Sequence, residues 1–345
     1  MTIQDIPPEM QQSRMLLDMA CGPLYGAAVR VVVELAIADK LRDGAKTAAE
    51  LAVGGNLHPQ SLYRVLRFMA SRGIFAEDDE GRFALTSAAD LLRSDTAGSL
   101  SAATLMLTAD TMMEAGIKLL HGVRTGQCPF DHVHGAPFFE YLQEHPERAG
   151  VFDLGMAAFS DSENAPIAGS YDFSPYARVM DVGGGHGGFL VEVLKRHPAL
   201  RGILYDLAHV AQGTRRLVEG GVAARAEVVS GDFFESVPRG ADVYVVKRVL
   251  HDWDDAKCVK ILRHCRAVVP PHGRVLVIDA VLSAGNGHDF AKAIDLMMMS
   301  VSTGRERTEP EFRALYAAAG LELTRVIPTP SMLSIVEGVP ADAAG

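Results

Sequence analysis

Residues 181–189, Asp-Val-Gly-Gly-Gly-His-Gly-Gly-Phe, place five glycines in six positions directly after a short apolar run, Val179 to Val182. Glycine is needed where a backbone takes positive φ or lets a ligand come close. The amphipathic stretch Phe189 to Arg196 follows, so the pattern predicts strand, tight loop, helix. In open α/β sheets such a loop faces the crevice beyond the carboxyl ends of the strands, and here it would offer its backbone to something flat and bulky. Gly183, Gly185 and Gly188 have the GxGxxG spacing of dinucleotide-binding loops, which keeps a nicotinamide or flavin enzyme open. Leu204-Tyr205-Asp206 ends a second predicted strand in an acid suited to ribose hydroxyls. A third, from Val228, ends in Gly231-Asp232-Phe233, an acid able to bond an adenine amino group and a ring able to cover it. A fourth, Val243 to Val246, runs into Lys247-Arg248-Val249-Leu250-His251-Asp252-Trp253-Asp254-Asp255.

Taken in this order, these motifs resemble the S-adenosylmethionine-dependent O-methyltransferases of the caffeic acid and hydroxyindole type. Gly304-Arg305-Glu306-Arg307-Thr308 is similar to that family's Gly-Lys-Glu-Arg-Thr. The resemblance runs from about residue 10 to residue 338; the glycine loop is its least specific part, and His-Asp-Trp-Asp-Asp with Glu-Arg-Thr the most specific. It implies a Rossmann-like class I methyltransferase domain, a mixed seven-stranded sheet with helices on both faces, preceded by a mostly helical winged-helix dimerisation domain. The implied division is residues 1–98 for dimerisation, 99–170 for a helical connector roofing the substrate pocket, and 171–345 for the catalytic domain. S-adenosylmethionine would be the cofactor and S-adenosylhomocysteine the product, with Gly183, Asp206, Leu207, Asp232, Phe233, Lys247, Trp253 and Ser160 as its binding residues.

The implied reaction moves a methyl group from sulfonium to a hydroxyl oxygen of a small aromatic acceptor. An ordinary phenol has a pKa near ~10, so it needs a base at neutral pH. Histidine titrates in the right range, and His251 lies just past the fourth strand. An in-line displacement also gains from positioning. Asp279, ending a fifth strand, and Glu306 match the family's two acids that flank the base; relatives often have glutamate where Asp279 stands, one methylene longer. Phe152, Met156, Phe159, Met298, Met299 and Asp252 are the expected acceptor contacts. Met297, Met298 and Met299 suggest an adaptable wall. His186 replaces a threonine common in relatives' loop and reads as tolerance, and Asp181 as a residue that orients the loop. No two-His-one-carboxylate pattern accompanies the site, and the family works without metal.

These residues need elements to hold them. Strands alternating with helices from Tyr171 onward predict a parallel sheet: helix Asp255–Val269, strand Arg274–Ile278, helices Ala291–Ser300 and Glu309–Ala319, and a closing hairpin of Leu321–Ile327 and Ser331–Val336 that adds an antiparallel edge. Upstream, a helix is expected from Ser13 to Leu41, apolar on nearly every side from Ala27 onward, which asks for cover by a partner subunit. Helices Thr47–Ala52 and His58–Ser71, the latter with a Leu62, Val65, Leu66, Met69 stripe, precede a hairpin turning at Asp78 to Gly81: a winged-helix pattern. Between residues 45 and 96 it has six Lys/Arg against seven Asp/Glu, and its wing carries Glu77, Asp78, Asp79 and Glu80, the wrong sign for phosphate contact. Residues 100–168 read as mostly helical, with a loop at Gly122 to Gly135.

At 345 residues, with 48% hydrophobic composition and mean hydropathy +0.11, the chain can bury a two-domain core and is not a disordered protein. A net charge of −10 argues against a general nucleic-acid or anionic-membrane surface. The four cysteines show no metal-ligand spacing and read as reduced. Residues 1–12 lack the features of a signal peptide, no run of eighteen apolar residues occurs, and the tail after Val339 reads as frayed. The expectation is therefore a cytoplasmic homodimer joined through its N-terminal domain, acting on a small aromatic molecule and on neither nucleic acid nor membrane. The competing classes are an NAD(P)-dependent oxidoreductase, resting on GxGxxG alone, a winged-helix regulator sensing a small ligand, and a family member that has lost methyl transfer, which the intact His251, Asp279 and Glu306 disfavour.

Overall fold

A computed structural model of the chain describes residues 7–211 and 215–341; the expectations for the extreme N-terminus and the tail fall largely outside them. The chain divides into two compact units, Met1–Met113 with Leu142–Ser162, and Glu114–Tyr141 with Glu163–Gly345.

In the first unit the expected long N-terminal helix is three: Pro8–Ala20, Gly22–Glu34 and Ile37–Lys40. Gly22-Pro23 starts the second afresh, and Ala36 at φ 49° breaks it from the third. Among the described residues no single helix is long and apolar enough to cross a membrane. Strands β1 (Lys46–Thr47), β2 (Phe75–Glu77) and β3 (Arg82–Leu85) form a small antiparallel sheet in the order β1-β3-β2, with helices Ala48–Ala52 and Pro59–Ala70 between β1 and β2. Leu62, Leu66 and Met69 are buried as their spacing predicts, against Phe75, Phe83 and Leu51. The same core takes Val32, Val33, Ile37, Ala38 and Leu41. The stretch expected to need a partner is thus covered in part within its own unit, at these five positions. The uncovered apolar side chains lie just upstream: Met10, Met15, Leu16, Leu17, Met19 and Leu24 are each more than half exposed. At the wing, the Arg82 guanidinium is bound by Asp78 and Glu80.

The second unit is built on a seven-stranded mixed sheet of β4 (Arg178–Val182), β5 (Arg201–Asp206), β6 (Ala226–Ser230), β7 (Val243–Lys247), β8 (Arg274–Asp279), β11 (Leu321–Pro328) and β12 (Ser334–Pro340). The order is β11-β12-β8-β7-β4-β5-β6, parallel except where β12 pairs β8 and β11. Helices cover both faces, as a central strand like β7, buried at all five positions, requires. The chain order reverses between β4 and β7, which sets the crevice at their carboxyl ends. A separate two-strand parallel pair, β9 (Val281–Leu282) with β10 (Arg307–Thr308), follows directly on β8. The expected loop at Gly122 to Gly135 contains a helix, Pro129–His134. Proline at its first position and Gly135 in the left-handed region after its end provide its boundaries.

Candidate active site

The loop after β4 owes its shape to glycine in two ways. Gly183, Gly185 and Gly187 have φ of 70°, 57° and 79°, the left-handed region. Gly184 is needed for space, since a Cβ there would sit 2.6 Å from the Asp181 carboxyl carbon and from Leu204. A Cβ on Gly183 would lie 2.9 Å from Val249 and 3.3 Å from the Phe233 ring, so the aromatic that follows β6 stands beside the loop. A Cβ on Gly185 would meet nothing within 4 Å, which marks the open side of the loop. Asp206 ties the two neighbouring strand ends together: Oδ2 accepts from the Gly185 N–H at 2.8 Å and Oδ1 from the Leu207 N–H at 2.7 Å. Each oxygen keeps a further lone pair for a ligand hydroxyl. Asp232 bends its own turn by accepting from the Phe234 N–H at 2.7 Å, and Gly231 leaves the room that the Tyr205 hydroxyl fills.

On the other side of β4, the chain leaves β7 through a short 3-10 turn, Leu250–Asp252, which carries His251. His251 is buried, and its Nδ1 lies 2.9 Å from Oε1 of Glu306. A long-range fit makes this contact. Residue 304 crosses directly over the turn, where a Cβ would lie 1.9 Å from the His251 carbonyl oxygen, so only glycine passes. Arg307, fully buried, then donates to the carbonyls of Leu250 and Trp253 and to Asp255, fastening the turn to β10. The helix Phe290–Val301 contributes Asp295, which accepts the Glu306 N–H at 2.9 Å. Asp279, at the end of β8, lies within the same group, but neither of its oxygens has a hydrogen-bond partner. Of the two acids expected to flank the base, only Glu306 reaches a hydrogen bond with it; Asp279 is the shorter side chain.

Burial alone would depress the imidazole's pKa. The carboxylates of Asp252, with Oδ1 3.7 Å from Nε2, and of Glu306 and Asp279 more than offset it and raise His251 to about 9. That corrects the expectation of titration near neutrality. Burial pushes the Asp279 carboxyl upward, and pushes Asp181 up to about 7 against the pull of the Lys247 ammonium. Lys247 itself is lowered to about 8 by its own burial and by Arg248. Trp253 meets Phe234 edge-on with ring centroids 4.9 Å apart, and the Lys257 ammonium sits 4.8 Å from the centre of its ring. Met298 is buried and Met299 half-buried on helix Phe290–Val301. Phe152, Met156, Phe159 and Ser160 are half-buried on the part of helix Pro146–Ala168 that belongs to the first unit. Gly304, Arg307 and Arg248 stand within motifs quoted from the sequence without an assigned role, and Asp295 and Glu163 were not singled out there. Gly304 and Arg307 flank a recognised acid in their motif, the signal that could have given them a role; nothing local distinguishes Asp295 or Glu163. Among the described residues no group of three His, Cys, Asp or Glu could hold a metal ion.

The profile of the O-methyltransferase domain matches residues 117–322, and that of the O-methyltransferase dimerisation domain matches residues 17–95. A phenazine O-methyltransferase of Lysobacter antibioticus is 41% identical over 95% of this chain and 96% of its own. A mitomycin biosynthesis 6-O-methyltransferase of Streptomyces lavendulae is 38% identical over 90% of this chain and 89% of its own. Among solved structures, CalO1, a methyltransferase in calicheamicin biosynthesis in its SAH-bound form, superposes with a TM-score of 0.90 at 41% identity, covering 98% of this chain and all of that one.

Proposed function

Because the chain belongs to the O-methyltransferase family and is an S-adenosylmethionine-dependent enzyme, we propose that its acceptor is a phenolic hydroxyl of a small aromatic metabolite and that His251 is the general base. The observation that carries this reading is the 2.9 Å contact between His251 Nδ1 and Glu306 at the carboxyl end of β7, beside the glycine loop. A carboxylate on Nδ1 fixes the tautomer whose Nε2 is free to take a proton. The relative named as a phenazine O-methyltransferase supports an aromatic acceptor.

The residues present fit S-adenosylmethionine, which when bound supplies an electrophilic methyl group on a sulfonium. Gly183 and Gly185 give the cofactor a backbone surface whose open side carries no Cβ, and Asp206 and Leu207 take the ribose. Asp232, Phe233 and Trp253 enclose the adenine, and Lys247 with Ser160 serves the amino-acid end. Phe152, Met156, Phe159, Met298, Met299 and Asp252 hold the acceptor ring. His251 Nε2 takes the hydroxyl proton as the oxygen becomes nucleophilic. Glu306 stabilises the imidazolium that results, and Asp279 adds negative potential to it.

The three-part division at residues 98 and 170 fits this reading. The chain carries a dimerisation domain, and we take the assembly to be a homodimer through it, with the exposed Met15, Leu16, Leu17 and Met19 as part of the covered surface. Its place is the cytoplasm, without nucleic acid or membrane as partner. The test is turnover of S-adenosylmethionine against a panel of hydroxylated aromatics. A His251→Ala variant that binds cofactor normally should lose roughly 10²–10⁴ in kcat on any acceptor the native enzyme methylates. Near-native turnover of that variant removes the base from His251.

A further inference from the structure

The strand that leads to His251 ends in an unusual way. Arg248 has φ 52°, one of three non-glycine residues in the left-handed region among those described. Nothing about arginine favours that region; the conformation costs an ordinary side chain roughly tenfold in population. Asn56, another of the three, has a side chain suited to it, but Arg248 does not. Two interactions hold it there. Its N–H donates to the Ile278 carbonyl at 3.0 Å, extending the β7–β8 ladder by one residue. Its guanidinium grips Glu163 through three bonds: Nε to Oε2 at 3.0 Å, and Nη2 to Oε1 at 2.8 Å and to Oε2 at 2.9 Å. Both side chains are about nine-tenths buried.

We propose that the Glu163–Arg248 pair is a positioning device for the active site: by pinning the side chain it holds residue 248 in the left-handed turn that lets Lys247 and His251 serve one crevice. Lys247 is the last residue of β7, paired in register with Ile278 of β8, and its ammonium bears on Asp181 of β4. His251 comes only four residues later, in the 3-10 turn over which Gly304 passes. The left-handed residue between them is what turns the chain from strand into that turn within so short a span. A buried ion pair is a costly way to fill space, and an apolar pair of the same volume would hold the packing as well. Its rigid three-bond geometry is what an apolar pair could not supply. Glu163 and Arg248 are therefore positioning residues, acting through the backbone; they are not assigned contact with the reacting atoms. The inference rests on the reading of His251 as base.

The experiment separates backbone geometry from charge. In Glu163→Gln/Arg248→Ala and Glu163→Gln/Arg248→Gly neither charge is left buried alone. Glycine takes a φ of about 52° without steric cost, and alanine does not. The alanine variant should lose about tenfold or more in kcat and bind S-adenosylmethionine more weakly by calorimetry, and the glycine variant should recover most of both. Equal losses in the two, or native behaviour in the two, overturn the proposal. Should the alanine variant not fold, Glu163→Gln alone keeps the side-chain shape and weakens the grip. Amide exchange across Val249 to Trp253 should then be faster than in the native protein, and unchanged exchange refutes the proposal. That readout does not depend on which residue takes the proton. A normal His251→Ala rate alongside faster exchange would sink the base and leave the positioning pair standing.

Discussion

Gly304→Ala should cripple turnover while leaving the cofactor site intact, because the added methyl group has nowhere to go. Its Cβ would lie 1.9 Å from the His251 carbonyl oxygen, 2.4 Å from the Asp252 carbonyl carbon and 2.8 Å from the Asp252 Cα. All three are backbone atoms, so no rotamer change relieves the clash. To restore an ordinary contact of 3.4 Å the crossing segment must lift by about 1.5 Å. Glu306 is two residues further on and would move with it. The 2.9 Å contact to Nδ1 would then open beyond hydrogen-bonding range. A displacement of about 1 Å in a positioning group can cost about 10² in rate, and forcing a methyl group into a packed site costs about 1–3 kcal/mol of stability. The assay is kcat on the native acceptor beside calorimetric binding of S-adenosylmethionine and a melting curve. The expected outcome is a folded protein a few degrees less stable, with near-native cofactor affinity and kcat down about a hundredfold. Glu306→Gln, which keeps the shape and removes the charge, should lose less. A Gly304→Ala enzyme with native kcat, or one whose loss lies wholly in cofactor binding, would refute the argument that this crossing places the acid on the base.

The pH dependence follows from the charges around His251. Its folded pKa of about 9 lies above the ordinary 6.5, and only the neutral imidazole accepts a proton, so kcat should climb with pH toward about 9. A plateau already reached at neutral pH contradicts this. By linkage, the stability contributed by the imidazolium is fully present below the unfolded value of 6.5 and is lost as pH rises through about 9. Asp279→Asn removes one of the charges that raise the imidazole and should shift the rise in kcat to lower pH; an unmoved profile would take Asp279 out of the electrostatics. Asp206→Ala strands the Gly185 and Leu207 N–H groups and any ribose hydroxyl, and should weaken S-adenosylmethionine binding by about 1–3 kcal/mol in calorimetry, whereas an unchanged Kd removes it from the site. Leu17→Glu/Met19→Glu places charges on the uncovered apolar face and should shift sedimentation from dimer to monomer; a dimer that persists places the interface elsewhere.

What could be read along the chain was whatever has a local physical cause. The glycine loop, the acids at or after the ends of β5 and β6, and the histidine after β7 each follow a strand whose apolar run announces it, so the places of Asp206, Phe233 and His251 in the fold were legible with their elements. Winged-helix packing was legible for the same reason, since Leu62, Leu66 and Met69 repeat at helical spacing. The apolar stretch at Ala27 to Leu41 was legible as needing cover, but hydrophobicity does not say how that cover is shared. The unit's own Phe75 and Phe83 belong to the core that takes Val32, Val33, Ile37, Ala38 and Leu41. Glu163 and Arg248 stand 85 residues apart, and no spacing rule joins them. The pKa of His251 follows from folding for a related reason: the type of residue sets 6.5, and of the acids that raise it only Asp252 is a sequence neighbour, while Asp279 and Glu306 come from other segments.

Those three acids bear on how the site is held together. Asp279 has two buried oxygens without partners, and Glu306 has one, so this group opposes folding where most of the second unit favours it. Such a group stays in place only if the backbone around it cannot relax. The structure supplies that rigidity from groups other than these three acids. Arg307 binds two carbonyls of the turn and Asp255, and Cys258, its thiol pushed up to about 12 by burial, donates to the Leu250 carbonyl at 3.1 Å. Gly304 brings two backbones into direct contact. The cost of the unpartnered acids falls on side chains around His251, while the Leu250 and Trp253 carbonyls of the turn accept hydrogen bonds. That separation lets the acids raise the proton affinity of His251 without the turn that carries it opening to water.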